Sequence, residues 1–319
     1  MARVDELRLI ARAAHMYYEG GIRQTDIAAQ LQLSQATVSR LLRRAVQGGV
    51  VRFSINVPKG IYLELENRMC AKYGIKEVII ADCMEDSDEA STAAIASAGA
   101  FWLENALAEN EVIGISSWSS TLQRLVEHLH PFKHKRASRV VQLLGGMGFA
   151  QAQLKATEMA VALAHITGAK AELLAAPCIT SSRDSRAILL DDEQTHKTLS
   201  GFCDISLALV GIGSVLPSRN LVSSGNSFSE PELSQLAQLG AVGDILLRFY
   251  RSDGQPVQSH VDERVIGMTL EDLKKVNRVV GLAGGQHKTA AIAGALRGKL
   301  LTTLITDCHS AQRLVDFQL

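Results

Sequence analysis

Gln35, Thr37, Ser39 and Arg40 point away from an apolar stripe of Val38, Leu41 and Leu42 when their stretch is read as a helix, and their chemistry is that of a base reader. In a major groove a glutamine side chain pairs with adenine, an arginine with guanine, and a threonine contacts the thymine methyl. Arg43 and Arg44 extend this surface toward phosphates. Gln24 and Thr25, which open the preceding amphipathic stretch, and Ala36 complete the candidate DNA-contacting set. Ser34 is placed to cap the reading helix. The plainer alternative is a helical hairpin packed in some larger core; against it, Ser34 to Arg52 holds four arginines and no acid.

A second set of residues suits a small polar ligand. Ser116, Ser117, Trp118, Ser119, Ser120 and Thr121 follow an apolar run and open a helical one, so hydroxyls and backbone N–H groups there can surround an anionic or hydroxylated molecule. Gln142 with Gly145, Gly146 and Gly148, Gly211 with Gly213 and Ser214, and Gly284-Gly285 before Lys288 repeat the arrangement. A glycine after a strand is often only a turn, but four such segments in one sheet predict a pocket. Asp244, in Gly240-Ala-Val-Gly-Asp-Ile, offers a carboxylate to sugar hydroxyls; Lys288, at a helix start, suits a phosphate or Asp244 itself. Solvated strand and helix ends are the plain alternative for both.

The elements that must position these groups follow from periodicity. A first helix is expected over residues 5–18, with Leu7, Ile10, Ala14 and Tyr17 on one face. Ile27, Ala28 and Leu31 stripe the next, and the break at Gln32-Leu33-Ser34 makes the pair a helix-turn-helix. Gly48-Gly49 stops the reading helix, Val50 to Ile55 predicts a strand or small wing, and Pro58-Lys59-Gly60 ends the module. Tyr62 to Lys72 reads as a linker helix whose Tyr62, Leu65 and Met69 face a partner, a dimer contact.

Beyond Glu77, apolar runs alternate with amphipathic stretches. Strands are expected over 78–81, 112–116, 139–144, 171–174, 205–210, 245–249, 279–283 and 301–305, and helices over 89–108, 122–130, 156–166, 271–275 and 288–297. That pattern predicts an α/β domain with a mainly parallel sheet covered on both faces, its ligand outside the carboxyl ends of the strands. Three segments result: a helix-turn-helix DNA-binding domain over 1–58, the linker helix over 59–75, and an effector-binding and oligomerisation domain over 76–319.

Composition agrees with this division. The 319 residues carry 33 basic and 33 acidic side chains, yet residues 1–60 hold nine basic against four acidic, leaving the remainder net acidic. A small basic end on an acidic body suits a polyanion reader joined to something else. Every apolar run is short and Arg3, Asp5, Glu6 and Arg8 interrupt the start, so neither a signal peptide nor a membrane span is expected and the cytoplasm is the expected location. Cys70, Cys83, Cys178, Cys203 and Cys308 show no paired spacing, which predicts reduced, mostly buried thiols and no zinc ribbon.

Together these segments resemble the SorC/DeoR-type sugar-sensing transcriptional regulators over nearly the full chain. The resemblance is carried by Gln24 to Val51, Val210-Gly-Ile-Gly-Ser214, Gly240-Ala-Val-Gly-Asp-Ile-Leu-Leu-Arg-Phe-Tyr250 with Asp253-Gly254, and Ala283-Gly-Gly-Gln-His-Lys288 with Ala290-Ala-Ile292. It implies a winged DNA-binding domain followed by a Rossmann-like effector domain of the sugar-phosphate isomerase and glucosamine-phosphate deaminase type. It also implies a homo-tetramer whose affinity for operator DNA responds to a sugar, polyol or their phosphates. Ser116 to Thr121, Gln142, Gly145, Gly146, Asp244 and Lys288 are then the effector contacts. One departure stands out: many relatives have Ser-Trp-Gly in the first loop, whereas this chain has Ser119 where a glycine would allow closest backbone approach, which disfavours a tightly cradled phosphate.

The alternative from another class is a sugar-phosphate isomerase or deaminase with an appended helix-turn-helix, for which Asp244 or Glu193 would be the acid or base. No paired constellation supports it, and no cofactor is expected. His128, His130 and His134 end a helix beside Lys133, Lys135 and Arg136 and read as a basic loop, not a metal site. Asp191-Asp-Glu193 with His196 suits a helix N-terminus. Cys308 and His309, neighbours on a helix, are expected to point apart. Trp102 fits a core helix, and Trp118 either stacks on a sugar or fills the core.

Overall fold

The computed structural model describes residues 2–52, 58–216, 219–226 and 228–318, and the chain falls into two compact units, Met1–Pro58 and Lys59–Leu319. In the smaller, α1 (Ala2–Ala14) runs into a single π turn (His15–Glu19) and is followed by α2 (Gln24–Leu31) and α3 (Gln35–Gln47). The stripes read from the sequence close one core: Ile10, Ala13 and Ala14 of α1 meet Ile27 and Ala28 of α2 and Val38, Leu41, Leu42 and Ala45 of α3. Gln32 takes the left-handed conformation that reverses the chain between α2 and α3 (φ 54°), and the Ser34 hydroxyl accepts the Thr37 N–H at 3.1 Å. Val50 to Arg52 form no strand; the rest of the expected wing lies outside the described residues.

The larger unit is built on a seven-stranded, wholly parallel sheet. Its first strands are β1 (Glu77–Ala81), β2 (Glu111–Ile115), β3 (Ala137–Gln142), β4 (Lys170–Glu172) and β5 (Leu207–Gly211). A small antiparallel sheet of β6 (Gly213–Ser214), β7 (Ala241–Ile245) and β8 (Arg248–Arg251) intervenes before β9 (Arg278–Leu282) and β10 (Thr303–Asp307). The strand order is β1-β10-β9-β5-β2-β3-β4. From β2 the chain proceeds outward to β3, whereas from β5 it proceeds to β9 on the other side, so the order reverses between β2 and β5. In parallel sheets that reversal opens a crevice at the carboxyl ends.

Helices α4 (Leu63–Tyr73), α5 (Asp88–Ala106), α6 (Ser120–His128), α7 (Ala150–Thr167), α8 (Arg183–Asp191) and α9 (Glu193–Ser200) precede the small sheet. They are followed by α10 (Arg219–Ser223), α11 (Glu230–Gln238), α12 (Leu270–Leu273), α13 (Thr289–Arg297) and α14 (Cys308–Asp316). Alternate strand residues enter opposite cores: Leu207, Leu209, Val280 and Ile305 meet α5 to α7, while Ala208, Val210, Val279 and Leu304 meet the layer that contains α4, α13 and α14. This two-sided burial explains why the strands read as continuous apolar runs.

Two expectations are corrected. The segment 59–75 is not a free linker: Met69 is fully buried, Tyr62 and Leu65 pack on the same core, and α4 is tied down by Lys72 Nζ donating to Val315 O (2.8 Å) and Tyr73 OH to Leu314 O (2.8 Å). Its apolar stripe is therefore satisfied within its own unit, not by a second subunit. The strand expected over 245–249 is instead a hairpin bend, because Leu246 and Leu247 both take positive φ (57° and 60°) and turn β7 back into β8.

One buried carboxylate organises the carboxyl end of β10, two strands away from β5 and the crevice. Asp307, at the end of β10 and 1% exposed, accepts from Ser91 Oγ (2.6 Å), Ser310 Oγ (2.7 Å), Ser310 N (2.8 Å) and Gly285 N (3.3 Å). Burial pushes its carboxyl up, but these donors outweigh burial and hold it below the ordinary carboxylate range. Asp307→Ala, which leaves the Ser91 hydroxyl of α5 and the Ser310 N–H of α14 unmatched in the interior while the Gly285 N–H keeps Ser310 Oγ at 2.8 Å, is expected to cost about 2–4 kcal/mol. Urea unfolding monitored by far-UV circular dichroism measures this; a loss under about 1 kcal/mol would show that the cluster does not hold the loop.

Candidate functional site

In the smaller unit the reading surface lies on α3. Gln35, Ala36, Ser39, Arg40 and Arg43 are exposed, and Thr37 is half-buried. Thr37 Oγ1 lies 2.8 Å from Ser34 Oγ and accepts from Arg40 Nη2 at 3.3 Å, so the guanidinium is steered by the same residues that cap the helix. Arg44 is committed elsewhere: it pairs with Glu6 of α1, bracing α3 against α1, which removes it from the phosphate-facing set unless that pair opens. Gln24 is half-buried; Thr25 is exposed and donates to Asp26 Oδ1 at 3.3 Å, a neighbour that repels phosphate.

In the larger unit a cavity of about 730 Å³, partly open to solvent, sits at the carboxyl ends of the adjacent strands β2, β5 and β9. Of the candidate effector contacts, Ser116, Trp118, Ser119, Ser120, Thr121, Gly213, Asp244 and Lys288 line it. Four do not. Ser117 donates to Leu144 O at 2.7 Å, and Gln142 bridges α7 and the segment after β4, with Nε2 donating to Ala156 O at 3.2 Å and Oε1 accepting Leu174 N at 3.0 Å. Gly145 and Gly146 are needed for packing: a Cβ would lie 2.5 Å from Pro177 C and 2.7 Å from Gln142 Oε1, respectively. These residues build the wall behind the cavity. Trp118 serves both roles, buried with Nε1 donating to Gly145 O at 3.1 Å and one face on the cavity.

Asp244 stands on the hairpin, not on the main sheet. Its backbone pairs with Gly213, and a Cβ on Gly213 would lie 2.1 Å from Asp244 Oδ1, so only glycine leaves room for the carboxylate. Oδ2 accepts the Leu247 N–H at 2.9 Å, bracing the turn in which Leu246 and Leu247 are both left-handed. Leucine in that conformation costs about 1–2 kcal/mol per residue; in return both side chains lie on the cavity.

Lys288 is brought to the same cavity as Asp244 by close helix–hairpin packing. Gly243 of β7 lies on Ala291 of α13, where a Cβ would come within 2.4 Å, and Tyr250 OH donates to Ala291 O at 3.0 Å. Lys288 follows Gly285, whose φ of 98° disfavours any side chain and where a Cβ would also lie 2.5 Å from Asp88 Oδ1. Burial is the largest influence on both charged groups. It pushes the Asp244 carboxyl up to about 6 against the Leu247 N–H and the Lys288 ammonium, and it lowers Lys288 against the fields of Asp244 and Asp88. The result is one carboxylate and one ammonium on the lining of the same cavity, each shifted by desolvation and each within the other's field.

An apolar wall completes the site. It comprises Ile212, Val215, Leu216, Leu221, Phe228, Leu233, Leu246, Leu247 and Phe249, with Phe228 and Phe249 rings 5.8 Å apart. Residue types alone do not reveal it; the one available signal is the Ile245-Leu-Leu-Arg-Phe-Tyr250 run, which has the composition of a strand. A second cavity, lined by Gln123, Gln151 and Lys155, lies beyond Trp118 and Ser119, which border both.

The remaining sequence candidates find structural roles. Asp192 caps α9 by accepting from Gln194 N and Thr195 N, and His130 lies 3.0 Å from Glu104. Cys308 Sγ and His309 Nε2 do not point apart; both reach Cys83 O, at 3.4 and 3.0 Å. That carbonyl lies off the start of α14, where the first helical turn places successive side chains within reach of one acceptor.

Comparison with known proteins agrees with this division of the chain. The family model "Putative sugar-binding domain" matches residues 60–316, and a homeodomain-like domain model matches residues 5–52. The sorbitol operon regulator of Klebsiella pneumoniae is 29% identical over 318 residues, covering 99% of this chain and 100% of that one. Among solved structures, the full-length sorbitol operon regulator SorC from Klebsiella pneumoniae superposes with a TM-score of 0.73 at 27% identity, over 97% of this chain and 98% of that one. The sugar-binding domain of transcriptional regulator DeoR from Pseudomonas syringae pv. tomato does so with a TM-score of 0.63 at 41% identity, over 80% and 100%. With a three-helix reading unit, a parallel-sheet unit with a cavity at its strand ends, and these matches across both, the chain belongs to the SorC/DeoR-type family of sugar-binding transcriptional regulators.

Proposed function

We propose that this protein is a DNA-binding regulator of a carbohydrate-metabolism operon, that Gln35, Thr37, Ser39 and Arg40 contact operator bases, and that a sugar-type effector bound between Asp244 and Lys288 controls operator affinity. The observation that carries the reading is that Asp244 and Lys288, each within the other's field, line one cavity at the strand-order reversal. A carboxylate and an ammonium so placed suit a polyhydroxy ligand, whose hydroxyls donate to one and accept from the other.

The protein acts as a homo-oligomer, dimer or tetramer, in the cytoplasm. Two reading helices on two half-sites need at least a dimer. The helices α5 and α7 leave Phe101, Leu154 and Val161 substantially exposed, which suits subunit contact. Among the described residues no helix is long and apolar enough to cross a membrane. Ligand binding shifts the balance between arrangements of the oligomer that fit and do not fit the operator; a coupling of about 1–3 kcal/mol changes affinity by one to two orders of magnitude. The enzyme alternative is left with Asp244 and Lys288 as the titratable side chains among the described lining residues, and Glu193, its other nominated acid or base, sits in the first turn of α9 and does not line the cavity.

Two measurements test the assignment. Arg40→Ala is expected to weaken operator binding by about 1–3 kcal/mol in electrophoretic or anisotropy titrations and to relax base preference at one position. Wild-type affinity in this variant removes Arg40 from the interface.

The second concerns Asp244. Its folded-state value of about 6 lies above that of an unfolded aspartate, so the folded state holds the proton more tightly and stability is lost as pH rises from about 4 through 6. Asp244→Asn removes that cost. At pH 7.5 without effector the variant is expected to be more stable than wild type, by no more than about 3 kcal/mol. The gain shrinks as pH falls toward 4, and the effector response is blunted at every pH. A variant that is less stable at pH 7.5, or that responds to effector as wild type does, contradicts the role given to this carboxylate.

A further inference from the structure

Resting on the reading of the cavity as the effector site, we infer that the effector of this chain is an uncharged sugar or polyol with a deoxygenated or alkyl-substituted face, and not a sugar phosphate. Three independent features of the cavity converge on this chemistry.

The first is charge. Lys288 is the single cation among the described residues lining the cavity, and it already lies within the field of one carboxylate, Asp244, and of a second, Asp88. A phosphate entering here brings up to two negative charges to a place where one ammonium is shared between two carboxylates. Arginine, whose fork binds phosphate in bidentate fashion, is absent from the described lining. Lys155 does not supply the missing charge, because Trp118 and Ser119 stand between its cavity and this one.

The second is the helix end. A phosphate is commonly held by free N–H groups at a helix start, approached through a residue without a side chain. Here Ser119 caps α6 with its own hydroxyl, Oγ accepting the Leu122 N–H at 3.3 Å. That oxygen also fills the space over Gly211, where a Cβ would lie 2.9 Å from it. Ser119 thus occupies one of the first-turn donors of α6 and the approach over Gly211 that an anion would use.

The third is the wall. Leu216, Leu221, Phe228, Leu246, Leu247 and Phe249 offer no hydrogen-bond partner from their side chains. A hydroxyl pressed against them would lose its water without replacement, whereas a methylene or methyl group gains by burial. The polar arc of Ser120, Thr121, Asp244 and Lys288 suits the hydroxylated edge of the same molecule.

The test is isothermal titration of the full-length protein with matched compounds: neutral monosaccharides and polyols against their monophosphates, 6-deoxyhexoses against their parent hexoses, and inorganic phosphate alone. The expected result is that in every matched pair that binds, the neutral member binds at least tenfold tighter than its phosphate, and the deoxy member at least threefold tighter than its parent. Inorganic phosphate does not compete. Ser119→Gly and Asp244→Asn each narrow the neutral-to-phosphate gap several-fold, because each removes one obstacle to an anion. A phosphorylated member that binds tighter than its neutral partner, or competition by inorganic phosphate, overturns the inference while leaving the site in place. Binding unaffected by Asp244→Asn and by Lys288→Met, or no binding by either class, overturns the site reading and this inference with it.

Discussion

A carboxylate that is largely withdrawn from water is costly unless donors and a counter-charge surround it, and the ligand end of the larger unit is arranged to meet that requirement at Asp244. One oxygen takes the Leu247 N–H; the field of Lys288 opposes the desolvation. Close packing makes the arrangement rigid. Gly213 leaves space beneath the carboxylate, Gly243 lets β7 touch α13, and Tyr250 ties β8 to the same turn of that helix. Three residues without reactive chemistry therefore set the distance between the two that have it. The compensation is incomplete, since the carboxyl remains raised to about 6. An incompletely satisfied group is what a ligand's hydroxyl can complete, and this gives the site a free-energy reason to bind.

The same logic extends one layer outward. Lys288 depends on the Gly284-Gly285 loop, and that loop depends on Asp307, which links β10, α5 and α14 through Ser91, Ser310 and the Gly285 N–H. A Cβ on Gly284 would lie 2.1 Å from Asp307 Oδ2, so the loop is seated directly on the carboxylate. Asp307, buried, is fully supplied with donors and lies below its ordinary range, whereas Asp244, half-buried at the cavity, is undersupplied and lies above it. The contrast separates a residue that holds structure from one that can take a ligand. The left-handed Leu246 and Leu247 belong with the second kind: an Asn-Gly turn would make the same bend without strain, but it would present no apolar surface to the cavity.

Much of this was legible from residue types alone, for identifiable reasons. The helix-turn-helix was readable because Ile27, Ala28, Val38, Leu41 and Leu42 repeat at helical spacing and Ser34 is a good cap. The parallel sheet was readable because strands buried on both faces are continuously apolar; Asp244 and Lys288 stood out as charges beside glycines at a strand end and a helix start, where a solvated end was the plain alternative, and both line the cavity. Failures arose where a local pattern had two physical realisations. Ile245 to Phe249 has strand composition, and only tertiary packing places Leu246 and Leu247 in a turn that their propensities disfavour. The α4 stripe has an interface's composition, yet its own unit covers it. Gln142, Gly145 and Gly146 look like ligand residues because glycines and amides also serve where backbone segments pack closely, and sequence does not separate the two uses.

The two units differ in the physics by which each binds, and this constrains how one can influence the other. The α3 surface, with exposed Arg40 and Arg43, is the proposed contact to a polyanion, and affinity through it would carry the steep salt dependence of counterion release. The cavity is charge-balanced in its described lining and largely apolar, so a neutral ligand gains its free energy from burial and from a few hydrogen bonds. Such a ligand brings no net charge, so the signal proposed for it starts as a change in packing within the larger unit, in elements that have two arrangements and that the ligand biases. The hairpin is the element best suited to begin it. It carries the undersatisfied Asp244 and the strained leucines, and it rests on α13 through a glycine–alanine contact too tight to absorb movement, so a shift at Asp244 is transmitted to α13 instead of being dissipated.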